Sequence, residues 1–178
     1  METDARIVYY LQTHRIAALD GFLQGLTAGV SVLTALILLW LAYAVWRQRR
    51  RPPRDFWLLG LSLLFTAALV HMLKWWVARP RPFAEWPQID QLALGGQGSF
   101  PSGHTAEVFT LLFALWPLTR SPFLRFLLLA WALLIAYTRM ALGVHYPTDV
   151  LGGIAVAALS VWAARRILES RGMGESEA

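Results

Sequence analysis

Apolar runs long enough to cross a bilayer constrain this chain more than any other feature. A hydrocarbon core ~30 Å thick needs ~20 predominantly apolar residues in a helix. Gly21 to Trp46 carries no charge at all. Phe56 to Val77 is apolar as far as His71 and Lys74, Ser102 to Leu118 is a shorter run, and Phe123 to about Ala141 and Asp149 to Ala164 follow. Charged residues make up 15% of the 178, against ~25% in a soluble domain, while 57% are hydrophobic. The expected fold is all-α: a polytopic transmembrane helix bundle of about five spans, one membrane domain over residues 1–178. Residues 3–20 place Ile7, Leu11 and Ala18 loosely on one face, which predicts an N-terminal interfacial helix. No short apolar core with a small-residue cleavage site marks a signal peptide at the start.

The net charge of +5 does not indicate nucleic acid as a partner, because most arginines flank apolar runs. Arg47 to Arg54, Arg120, Arg125, Arg165, Arg166 and Arg171 gather at one end of the spans. By the positive-inside rule that end is cytoplasmic, so the N-terminus and the loops after spans two and four face outward. The absence of cysteine excludes disulfides, thiolate nucleophiles and Cys-based zinc sites.

Three polar clusters fall at the outward ends of the spans. Lys74 to Pro82 closes the second span and Pro101-Ser102-Gly103-His104 opens the third. Thr138-Arg139 to Asp149, with His145 between, bridges the fourth and fifth. An even number of crossings separates each cluster from the others, so they can converge. The cations Lys74, Arg81 and Arg139 are costly near a bilayer unless an anion compensates them. Guanidinium forks match phosphate oxygens, and Ser102 and Gly103 sit where a loop enters a helix, where free N–H groups favour anions. Asp149, four residues after His145, would fix the imidazole tautomer and leave the other nitrogen free to attack phosphorus. His104 would protonate the leaving oxygen. No Asp/Glu cluster suggests a magnesium pair, and the cations would do the electrostatic work.

These residues resemble the three signatures of the type 2 phosphatidic acid phosphatase (PAP2) superfamily. They read Lys74…Arg81-Pro82, Pro101-Ser102-Gly103-His104 and Thr138-Arg139…His145…Asp149, with Thr138 where the family often has serine. Signatures and spans together mark residues 56–165 as a catalytic core. The resemblance implies a bacterial inner-membrane lipid phosphatase with its site facing outward and no metal or other cofactor. It gives His145 as the nucleophile that forms a phosphohistidine, Asp149 as its orienting group and His104 as the general acid. Lys74, Arg81 and Arg139, assisted by Ser102 and Gly103, would bind the phosphoryl oxygens. The expected partners are the membrane and a lipid phosphate, first among them a polyprenyl pyrophosphate such as undecaprenyl pyrophosphate. Phosphatidylglycerol phosphate, phosphatidic acid and lipid A are the alternatives, as is phosphate transfer to a lipid acceptor. A lipid-binding or translocating protein with a dead site is the non-enzyme reading. Soluble vanadium haloperoxidases share the signatures, but five apolar spans argue against that class.

Other residues have plainer readings. Arg79 suits a head-group anchor. Trp75, Trp76 and Trp86 suit an aromatic belt. His71 lies one turn before Lys74, and Glu107 one turn after His104, where it would pair with a cation or a polar group. Gly152 and Gly153 give the fifth span a small packing face. Gly95-Gly96-Gln97-Gly98 reads as a flexible loop with no nucleotide role.

Overall fold

The computed structural model describes residues 1–48, 54–96 and 98–172. The arginine- and proline-rich loop at 49–53 and the polar tail beyond 172 lie outside the described residues, as does Gln97. Regular structure among the described residues is wholly helical: α1 (Thr3–Thr13), a 3₁₀ turn (Ala17–Leu19), α2 (Asp20–Gln48), α3 (Arg54–Val77), α4 (Pro82–Glu85), α5 (Gly103–Leu115), α6 (Pro122–Ala141) and α7 (Pro147–Ser170).

Four of these regions, centred on α2, α3, α6 and α7, are long and apolar enough to cross a membrane. Their outer surfaces keep large apolar side chains exposed, among them Leu36 and Trp40 on α2, Leu64 on α3, Phe126 on α6 and Trp162 on α7. Such a belt is a liability in water and the natural surface in lipid. Pro122 and Pro147 each occupy the first turn of a helix, where the missing N–H has no intrahelical partner to lose.

The predicted third span takes a different form. Its helix, α5, has 13 residues, about 20 Å, short of the ~30 Å core. The difference follows from position. α5 packs against α2, α3, α6 and α7, and residues around its whole circumference, including Thr105, Val108, Leu111 and Ala114, are buried. An element surrounded by protein need not match the thickness of the lipid. Thr66 on α3 and Thr110 on α5 share a buried hydrogen bond of 2.7 Å, a polar tie of the kind that joins helices in membranes.

All the motif-bearing termini meet at one end of the bundle, and α1 lies across that end. Ala5 and Val8 are fully buried against Ile89 and Tyr146, with Phe83 and Trp86 at the edge. The Gln12 amide donates to Asp90 O at 2.8 Å and accepts from Asp90 N at 2.8 Å. Ile7, Tyr9 and Tyr10 remain on the outer face. Trp86 thus packs under α1, whereas Trp75 and Trp76 stand exposed at the end of α3.

Candidate active site

A cavity of about 770 Å³ opens beneath the converging termini. Lys74, Arg81, Arg139, His104, His145 and Gly103 line its polar end. Val70, Ala67 and Leu63 of α3 and Leu38 of α2 continue it toward the middle of the bundle. From Lys74 to Leu63 the α3 axis descends about 16 Å. The cavity therefore joins a cationic head to an apolar groove.

Each cation is held by backbone or by a hydroxyl rather than by a carboxylate. Lys74 Nζ donates to Gly98 O at 2.8 Å. Arg81 Nε donates to Gly96 O at 2.8 Å and its NH1 to Val144 O at 2.9 Å. Gly95 lies against the Arg81 guanidinium so closely that a Cβ there would approach it to 3.1 Å. Arg139 NH1 donates to Thr27 of α2 at 2.8 Å, and its Nε is buried without a partner. Excess positive charge with unspent donors facing a cavity is a receptor for a multivalent oxyanion.

His145 is 2% exposed and stands between this cationic group and a carboxylate. Its Nδ1 faces Asp149 Oδ2 at 3.4 Å, within ion-pair reach but long for a hydrogen bond. Its Nε2 lies 3.4 Å from Arg81 NH1 on the cavity side. Its backbone N–H donates to Arg139 O at 3.1 Å, so the end of α6 fixes both residues together. Burial pushes the imidazole down to about 3; Asp149 pulls it up, and Arg81 and Arg139 press it lower. A neutral imidazole with one nitrogen toward a carboxylate and the other toward a cationic cavity is arranged as a nucleophile.

Asp149 is fully buried. Its Oδ2 accepts from the Ser99 hydroxyl and, at 2.8 Å, from Tyr146 N. The second contact closes a capping box at the start of α7. Its Oδ1 accepts from Arg79 NH1 at 2.9 Å.

Among the residues expected from the sequence, Lys74, Arg81, Gly103, His104, Arg139 and His145 share the cavity, and Asp149 stands behind His145. Ser102 is turned away. It is fully buried, its hydroxyl bonds Thr105 Oγ1 at 2.9 Å, and its N–H donates to Asp149 O at 2.9 Å. Ser102 thus braces the junction of α5 with α7, and Gly103 lines the cavity beside it. His71 and Glu107 also line the cavity, and Glu107 pairs with Ser31 at 2.8 Å rather than with a cation. Sequence reasoning missed Ser99, Arg79 and Thr27. It also missed the loop carbonyls of Gly96 and Gly98 that hold Arg81 and Lys74. The run of glycines was their only signal.

Four apolar spans around a cationic, histidine-bearing cavity define an integral membrane protein with an oxyanion centre at one end of its bundle. The profile of the PAP2 superfamily matches residues 55–173, and the chain belongs to that family. It is 30% identical over 149 residues to undecaprenyl-diphosphatase BcrC of Bacillus subtilis, covering 82% of this chain and 72% of that one. It is 36% identical over 81 residues to a lipid A 4'-phosphatase of Bacteroides thetaiotaomicron, covering 46% of this chain and only 36% of that longer protein. The crystal structure of LpxE from Aquifex aeolicus superposes with a TM-score of 0.79 at 24% identity, over 93% of this chain and 96% of that one.

Proposed function

We propose that this protein is a metal-independent lipid phosphatase working through a phosphohistidine. The observation that carries the reading is His145, buried and neutral, with Asp149 behind it and Lys74, Arg81, Arg139 and His104 around the cavity it faces. The His145 Nε2 lone pair attacks phosphorus while the three cations hold the phosphoryl oxygens. The bond from that phosphorus to the leaving oxygen breaks (the bridging oxygen of a lipid pyrophosphate, or the lipid oxygen of a monoester), and His104 gives that oxygen a proton. Water then attacks the phosphohistidine, returning a proton to His104, and inorganic phosphate leaves with His145 neutral again. Gly103 lets the substrate approach the α5 terminus.

The substrate reading is undecaprenyl pyrophosphate, supported by the likeness to BcrC and by the apolar groove below the cations. Lipid A is the second reading, favoured by the Bacteroides relative. Phosphate release from a panel of undecaprenyl pyrophosphate, phosphatidylglycerol phosphate, phosphatidic acid and lipid A ranks them directly. Preferred turnover of any other lipid on the panel would overturn the first choice. Labelled substrate separates hydrolysis, which frees phosphate, from transfer, which labels a lipid acceptor.

His145→Ala should lower kcat by roughly 10³-fold or more, as loss of a covalent nucleophile does. Full activity in that variant would sink the assignment. A chelator should leave the rate unchanged, and strong inhibition reversed by one divalent ion would refute the metal-free reaction. The arginines at the opposite end support a bacterial inner-membrane protein with its site facing the periplasm. A reporter fused after Ala178 should then be active only in the cytoplasm.

A further inference from the structure

Arg79 is two residues from Arg81 yet faces the other way. Ala78, with φ of 45°, takes the left-handed conformation that a residue with a side chain rarely adopts. Beyond that turn the Arg79 guanidinium stacks on the Tyr146 ring at 3.9 Å. NH1 donates to Asp149 Oδ1 at 2.9 Å and to Thr148 Oγ1 at 2.6 Å, and NH2 donates to Asp4 Oδ2 at 2.8 Å. Asp4 belongs to α1 and also takes the Thr148 hydroxyl and, at 3.4 Å, the Thr148 N–H. Arg79 shares a second, smaller pocket with Lys74 and Arg81, and it is absent from the lining of the cavity that holds His104, Arg139 and His145. Its NH1 and NH2 groups are directed to Asp149, Thr148 and Asp4, a geometry that serves positioning.

We infer that Asp4 and Arg79 form a positioning pair that sets the Asp149 carboxylate, and through it the ring of His145, making α1 part of the catalytic apparatus. A carboxylate has two oxygens and turns about one bond. With Ser99 and Tyr146 N on Oδ2 alone, Asp149 could still tilt about that oxygen. Arg79 on Oδ1 removes this freedom and leaves Oδ2 toward His145 Nδ1. Asp4 in turn fixes the end of the guanidinium that Asp149 does not hold. The inference rests on His145 being the nucleophile, and it adds Asp4, outside the three signatures, and Arg79, at a position the first signature leaves unspecified.

The test uses the full chain in detergent and the lipid phosphate it turns over fastest, with five variants: Arg79→Gln, Arg79→Lys, Asp4→Asn, the double variant Asp4→Asn/Arg79→Gln, and His145→Asn. Arg79→Gln should lower kcat by about 10- to 100-fold with KM within about twofold, since a misplaced catalytic group loses rate rather than binding. Asp4→Asn should lower kcat less, and should add nothing once Arg79 is gone. Arg79→Lys should recover part of the rate, because a point charge replaces the ion pair but not the fork. A raised KM at unchanged kcat would show Arg79 gripping the lipid head group and overturn the inference. So would fully additive effects of the two single changes, or losses that follow the melting temperature alone. Wild-type turnover in His145→Asn would overturn the nucleophile and this inference with it. An inactive His145→Asn beside a fully active Arg79→Gln would overturn the positioning pair only.

Discussion

His145 has a carboxylate on one side and two guanidinium groups on the other, and the balance decides its proton. Burial dominates and lowers the ring to about 3, far beneath the ~6.5 of a free imidazole. The reactive form is the neutral one, so the acid side of the rate profile moves down with that value. For kcat/KM, which reports the free enzyme, the expectation is a bell whose acid limb lies well below pH 6. Its alkaline limb marks loss of the proton on His104, which burial and the Arg139, Arg81 and Lys74 charges push down to about 4, so that limb also lies on the acid side in the free protein. Measurement of kcat/KM from pH 3 to pH 9 checks this, and an acid limb near pH 6.5 would refute it. The same residues show what the sequence made legible. His145, Asp149 and Arg139 follow one another at fixed spacing, and their roles could be argued from that spacing. The sequence set Arg79 apart from Arg81 only as a head-group anchor, because spacing alone does not show which partners an arginine beside a proline will meet. The turn at Ala78 and a partner 75 residues away distinguish them.

At the scale of elements, the site depends on helix ends that are packed without slack. Gly153 of α7 has no room for a side chain, because a Cβ would stand 2.7 Å from Ser102 O and 3.1 Å from Ala106 N. Those atoms are at the start of α5, each two residues from His104. Gly153→Val should therefore lose roughly 1–3 kcal/mol of stability, the usual cost of overpacking. It should also reduce kcat by displacing His104. Thermal unfolding and kinetics on the same detergent preparation test both parts. Gly143 is stricter. With φ of 75° and Asp90 O 2.2 Å from where a Cβ would lie, it shapes the turn between Arg139 and His145. Four long spans were legible from apolar length alone. The third run was legible as apolar and short, but not as a helix buried on all sides, since length does not reveal what surrounds an element. The buried face of α1 was hidden for a related reason. Its partners are Ile89, Asp90 and Tyr146, which only the fold brings near.

The whole molecule presents lipid with an apolar belt, with arginines gathered at one end and the cations of the cavity at the other. Lys74, Arg81 and Arg139 line one cavity and, among the described residues, hydrogen-bond carbonyl and hydroxyl oxygens apart from His145. The carboxylates at the site are already engaged, Asp149 by Arg79 and Glu107 by Ser31. Three cations facing one cavity repel one another, and an anion relieves that repulsion. Inorganic phosphate should therefore stabilise the protein. At about 100 times its Kd the gain is ~2.7 kcal/mol, read as a rise in melting temperature that chloride at equal ionic strength does not reproduce. An equal rise with chloride would show general screening instead of a site.

The cavity that suits substrate suits the released phosphate equally well. A centre that draws in one oxyanion so strongly does not expel the next one readily, so turnover would be paced by the departure of product. The enzyme would then slow as phosphate accumulates on the face it opens to. Through the hydroxyls and loop carbonyls that hold its cations, this molecule would couple its own rate to the phosphate around it.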